Sequence, residues 1–224
     1  MKVTSILGLF LFFNVLLCAQ EDIKKLPVEG LDKMNLGKII TKKRKTDEKV
    51  IVLAQGIVIG NSSVIFDVLM DCQYHIEFMP NFKACESYYE GVDSIYGKTV
   101  IDPPMTNKDY AFYLFTKFKY SETYSKIAWK LDTSKVHPSN TKDTYGFWEI
   151  QKLETNKHLL SFYSNSDFNF HWSIHWLLEP IFQMFIKKGL PDLVRNVRAR
   201  VESEQTWAIG KEMPSPKILL KRKK

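Results

Sequence analysis

Hydrophobic and polar positions change their period along this chain. Near its end, Trp176 to Val201 reads WLLEPIFQMFIKKGLPDLVRNVRARV. Leu177, Leu178, Ile181, Phe182, Phe185 and Ile186 recur at spacings that make one apolar stripe on a helix. Pro180 fits a first turn, where its missing N–H costs nothing. Gly189-Leu190-Pro191-Asp192 is expected to kink or restart the helix, because an interior proline removes a hydrogen bond and clashes with the preceding turn. Leu193, Val194, Val197 and Val201 continue the stripe, with Arg195, Arg198 and Arg200 largely off it. A long helix with one apolar face needs a sheet to lie on.

Upstream the pattern is that of strands. VIVLAQGIVI, Val50 to Ile59, is β-branched and apolar, is bounded by Gly60, and predicts a buried strand. Val64, Ile65, Val68 and Leu69 then form the inner face of a helix ending near Asp71, with Ser62 or Ser63 as its cap. Tyr74 to Met79 predicts a second short helix stopped by Pro80. Strands are expected from Phe82 to Glu90 and from Ile95 to Ile101. In DYAFYLFTKFKY, Tyr110, Phe112, Leu114 and Phe118 point one way; Ala111, Tyr113, Phe115, Lys117 and Lys119 point the other. Ile127, Trp129 and Leu131 share a face opposite Lys126, Ala128 and Lys130, the mark of a half-buried antiparallel strand. Val136 to Thr144 reads as a polar loop. Tyr145 to Leu153 and His158 to Phe168 are two further strands joined through Thr155-Asn156. There is no internal repeat. The order is α+β, a helix grip: a curved antiparallel sheet wrapped around a long C-terminal helix, with two short helices after the first strand.

Four stretches sharpen this order. NSSVIFDVLMDCQYHIEFMP resembles the segment after the first strand in the START-like superfamily, which also holds polyketide cyclases and pollen-allergen-type proteins. DPPMTNKDYAF resembles the START stretch where prolines precede a D-Y-x-x strand. GFWEIQKL resembles its G-x-W-x-l-x-p-l strand, and WLLEPIFQMFIKKGLPDLVRNVRARVE resembles its closing helix. The resemblance covers about residues 50 to 203. It implies an apolar tunnel between sheet and last helix, and binding of lipids, sterols or other hydrophobic molecules. One departure stands out: the family's lipid carriers often turn on glycines before the last helix, whereas this chain has SDFNFHWSIHW, a stiffer aromatic segment.

Length and composition add a compartment. The chain has 224 residues, enough for one domain with a real core. Its aromatic share of 13% suits a large core or a ring-lined pocket. Residues 1–19 read as an export signal, with Lys2 before an apolar run from Ile6 to Leu17 that is too short to span a bilayer. Cleavage fits after Ala19 or Gln20; Cys18 allows a lipid-anchored alternative. An exported protein, periplasmic or secreted, is expected. Cys72 and Cys85 then form either a disulfide, worth about 3 kcal/mol on a chain-entropy model, or two buried thiols acting as small hydrophobes. Residues 20–49 read as a polar, basic lead-in carrying Lys42-Lys43-Arg44-Lys45, with a short strand at 38–41. Residues 50–205 are the ligand-binding domain. Residues 206–224 form a basic tail ending KILLKRKK, expected to be disordered and able to touch an anionic membrane surface. No nucleic-acid partner is expected.

Candidate chemistry is sparse. No arginine occurs between Arg44 and Arg195, so the sheet offers no guanidinium to grip a carboxylate or phosphate. That points to a neutral or weakly polar ligand. The inward candidates are Tyr110, Phe112, Ile127, Trp129, Trp148, Ile150 and Tyr163 from the strands, and Ile181, Phe182 and Phe185 from the helix. Apolar pockets bury most of a ligand and orient it with a few polar groups, here tyrosine hydroxyls or indole N–H groups. Each residue alone reads equally well as ordinary core. His171 and His175 lie four apart, but HWSIH lacks the glutamate of a zinc-protease helix, so neither metal nor other cofactor is expected. Three functions compete: a noncatalytic carrier of a hydrophobic molecule, a cyclase or aromatase with a general acid or base in the tunnel, and a partner-binding envelope protein without an open pocket.

Overall fold

A computed structural model describes residues 30–45, 50–101, 110–135, 141–168 and 189–208. Backbone contacts divide the chain into Met1–Asp32 and Lys33–Lys224, and the second unit holds the sheet. Its strands are β1 (Ile40–Lys45), β2 (Val50–Ile59), β3 (Phe82–Tyr89), β4 (Ser94–Ile101), β5 (Tyr110–Lys119), β6 (Tyr124–Leu131), β7 (Thr141–Glu154) and β8 (Lys157–Phe168). They form one curved, open antiparallel sheet in the order β1-β2-β8-β7-β6-β5-β4-β3. The helices are α1 (Leu31–Asn35), α2 (Ser62–Met70), α3 (His75–Phe78) and α4 (Leu190–Ala208), with a 3-10 turn at Cys72–Tyr74 between α2 and α3.

Strand β2 explains its own composition. Val50, Val52, Ala54 and Val58 join the core under the helices, while Leu53 and Ile57 are buried on the opposite face, Leu53 at 2% exposure. Ile57 packs there with Met34 and Leu159. A strand covered on both sides reads as a continuous apolar run rather than an alternation.

Two expectations change at strand ends. The basic run Lys42–Lys45 is not part of an irregular lead-in; it lies in β1, an edge strand paired along its whole length with β2. Charges on an edge keep a row of unpaired backbone groups from templating another chain. Thr141 to Thr144 is not a loop either: β7 begins at Thr141, with Thr144 opposite Ser166.

Helix α4 lies across β2 and also meets β1, β8, α2 and α3. Leu190, Leu193, Val194, Val197 and Val201 are all buried, and Pro191 sits in the first turn, where proline is tolerated. Gly56 makes the approach possible: a Cβ there would sit 3.0 Å from Val194 Cγ1 and 3.3 Å from Ile39. Polar ties hold the middle of the helix. Asn196 Nδ2 donates to the Phe78 carbonyl at 2.7 Å, and Arg198 donates to that of Gly37 at 3.1 Å. Cys72 and Cys85 are joined by a disulfide with Cα atoms 5.5 Å apart, which ties the α2–α3 connection to edge strand β3. The sequence segments 1–19, 176–188 and 209–224 lie outside the described residues.

Candidate ligand-binding face

The register of the strands sorts side chains into two faces with different chemistry. On the concave face, toward the helices, the strands stack in cross-strand rows. One row runs Ser125–Ile150–Leu160–Gly56 and is closed by α4 through Val194. The next runs Phe118–Ile127–Trp148–Phe162–Ala54. The third runs Thr116–Trp129–Gly146–Ser164–Val52. The fourth pairs Thr144 with Ser166 and Ser166 with Val50.

Burial is uneven across these rows. Ile150, Leu160, Ala54 and Val58 are sealed. Phe112, Leu114, Thr116, Phe118, Trp129, Phe162 and Ser164 are partly exposed although they face inward. Apolar side chains at sheet positions normally bury fully against a covering layer, so these partly exposed aromatics mark a surface that the described helices leave uncovered. Gly146 shapes it. A Cβ there would collide with the Trp129 ring and the Tyr163 carbonyl, so the indole lies over bare backbone. Trp129 stacks on Phe162 with centroids 5.5 Å apart, and Phe162 tilts against Trp148 at 4.8 Å.

The two faces also divide charge. From Ile95 in β4 to Ser166 in β8, the concave positions in these rows are apolar, glycine or hydroxyl-bearing. The convex positions carry Lys98, Lys117, Lys126 and Lys130. Cations lie over rings here: Lys126 Nζ is 4.0 Å from the Phe147 centroid, and Nζ of Lys135, in the turn after β6, is 4.6 Å from that of Tyr96. The Tyr96 hydroxyl donates to Asp132 at 2.8 Å. Burial works against the Asp132 anion, but hydrogen bonds from Ser134 and Tyr96 hold its carboxyl below the usual range.

Most of the strand residues picked from sequence share the concave face. Ile127, Trp148 and Ile150 are in the core, Trp129 packs against it, and Phe112 lies on the same face opposite Thr99. Tyr110 begins β5 opposite Ile101, and its ring lies outside the described residues, as do Ile181, Phe182 and Phe185. Tyr163 is the exception. It is fully buried on the convex side, stacked on Phe147 at 4.9 Å. The cause is a register shift between Lys152 and Glu154. Glu154 pairs with Lys157 across the turn, and unbroken pairing from there would set Trp148 opposite Tyr163. Leu153 is an extra residue, so Trp148 pairs with Phe162 instead. Phe162 is thus the ring that sequence reasoning missed, and the hydroxyls of Thr144, Ser164 and Ser166 were missed with it.

Titratable groups gather at the β3 end. His75 is enclosed by Phe78 and Phe82, at ring distances of 5.6 and 5.8 Å. Its Nε2 donates to the Leu69 carbonyl at 3.1 Å, and burial lowers its pKa to about 4. Asp67 on α2 is raised by burial. Tyr89, on the concave side of β3, is raised by burial and by the Asp67 charge. Among the described residues no cluster of His, Cys, Asp or Glu has the arrangement of a metal site.

No protein-family model and no curated protein sequence matches the chain. Solved structures do. The STAR-related lipid transfer protein from Xanthomonas axonopodis is similar over 73% of this chain and 93% of its own, with a TM-score of 0.60 and 10% identity. Human StAR-related lipid transfer protein 5 is similar over 84% of this chain and 95% of its own, with a TM-score of 0.57 and 12% identity. The Zhui aromatase/cyclase from Streptomyces sp. R1128 is similar over 78% of this chain and all of its own, with a TM-score of 0.58 and 10% identity. At such identities the likeness is one of fold: an open antiparallel sheet gripping a C-terminal helix.

Proposed function

We propose that this chain, which has the START-like helix-grip fold, binds a neutral hydrophobic small molecule on the concave face of its sheet and carries it unchanged. The observation that supports this is the partly exposed aromatic set Phe118, Trp129 and Phe162, in rows whose described strand positions from Ile95 to Ser166 carry no charged side chain. Burying apolar ligand surface contributes about 25 cal/mol per Å². An anionic headgroup has no guanidinium on those strands to meet it. The Cys72–Cys85 disulfide and the signal-like start of the sequence support an exported protein, since such bonds persist in oxidising compartments. Native purification followed by mass spectrometry of the extracted lipid fraction tests the carrier reading. A neutral lipid recovered in stoichiometric amount, and lost in Trp129→Ala, is the expected result; protein that neither retains nor takes up any neutral lipid overturns it.

One observation favours an enzyme of the cyclase type as second reading. Asp67, whose carboxyl pKa burial raises, is within electrostatic range of Tyr89 of the concave face, which brings an acid and a phenol to the same end of the sheet. Turnover of a linear polyketide analogue that disappears in Asp67→Asn would support this reading; no turnover in the native protein would remove it.

A further inference from the structure

Resting on the ligand reading above, we infer that Thr144, Ser164 and Ser166 form the polar end of the binding face and read a hydroxyl or carbonyl group on a ring-bearing ligand. The three side chains meet at one place. Thr144 Oγ1 and Ser166 Oγ are 2.7 Å apart, and Ser164 Oγ and Ser166 Oγ are 3.1 Å apart. Three hydroxyls hold three donor hydrogens and more lone pairs than that. Two hydrogen bonds tie the cluster together, so among the described residues one O–H stays uncommitted. The cluster can therefore donate to a carbonyl or accept from a hydroxyl. It has no fixed charge with which to hold an anion.

Its position gives it a partner at the right distance. Ser164 lies in the row of Trp129 and Gly146, and Gly146 has no side chain to separate the indole from the serine. Rows on one face of a strand are about 7 Å apart. The aromatic row of Trp148 and Phe162 and the hydroxyl pair Thr144–Ser166 are two such steps apart, roughly 13 Å, the length of a few fused rings. Ser166 is only 6% exposed. Hydroxyls at buried sheet positions cost stability unless they are bonded; the two mutual hydrogen bonds meet that need and leave one O–H to orient a ligand.

The test uses three matched ligands, two neutral and one anionic, and the full chain. Energy transfer from the tryptophans to 1-methylpyrene, 1-pyrenemethanol and 1-pyrenecarboxylate gives three affinities. The native protein should hold pyrenemethanol about fivefold more tightly than methylpyrene, the worth of one net hydrogen bond, and pyrenecarboxylate most weakly. In Thr144→Val/Ser166→Ala the alcohol's advantage should vanish while methylpyrene affinity stays. Ser164→Ala, at a partly exposed position, gives the same readout should the double variant fail to fold. An alcohol preference that survives these changes, or two neutral ligands bound equally by the native protein, overturns the inference. Failure of both neutral ligands to bind overturns the ligand reading itself.

Discussion

The indole of Trp129 occupies the space that a side chain at Gly146 would need, across the β6–β7 pair. This places an aromatic plane flat on the sheet and lets it stack on Phe162. Gly146→Ala should therefore displace the ring. Overpacking of this kind costs about 1–3 kcal/mol, read as a lower urea midpoint, and the near-UV dichroism of the tryptophans should change. Stability and spectrum both matching the native protein would disprove the contact.

Val197 should be the opposite case. It is fully buried in the middle of α4. Val197→Ala removes buried methyl groups and should cost about 2 kcal/mol. Arg195 is exposed on the same helix, so Arg195→Ala should stay within about 0.5 kcal/mol. Equal effects at the two positions would mean that α4 is not held by its apolar stripe.

The disulfide closes a short loop, with a sequence separation of 13. Reduction of the native protein, or Cys72→Ala/Cys85→Ala, should lower stability by about 3 kcal/mol on the loop-entropy model. Reductant should leave the double variant unchanged. A native melting temperature indifferent to reductant would argue against the bond.

Acid should weaken the fold through His75. Burial lowers its pKa from 6.5 to about 4, so between those values the unfolded chain binds the proton and the folded chain does not. The contribution is fully present above pH 6.5 and is lost as pH falls toward 4, by roughly 3 kcal/mol in all. His75→Gln should flatten the pH dependence of the urea midpoint over that window. An unchanged slope would assign the acid sensitivity elsewhere.

The fold was legible because its two periods are strong. The α4 stripe buries one face, and the alternation of β5 and β6 sorts rings and lysines between two faces, so both leave a plain pattern. Strand β1 was half hidden, because an edge strand built from Lys42, Lys43, Arg44 and Lys45 has no apolar alternation to show. The opening residues of β7 were hidden for a similar reason: Thr141 to Thr144 are polar in a strand. The binding face was legible only as far as single-strand alternation goes. In HLLSFYSNS the even positions supply Leu160 and Phe162 and the odd ones Leu159 and Tyr163, so both faces of β8 look equally apolar. Which one turns inward depends on the pairing with β7, and the extra residue at Leu153 decides it. No property of β8 alone carries that information. The hydroxyl cluster was missed because serine and threonine read as solvent-facing until register brings them together.

That bulge makes the lining of the sheet subject to a kind of frameshift. Were Leu153 to pair with His158 instead of bulging, β8 would slip by one position against β7. Tyr163 and Asn165 would then stand where Phe162 and Ser164 stand now. Such a slip would swap an entire strand's contribution at once, a jump in ligand preference that stepwise substitution reaches only through several intermediates.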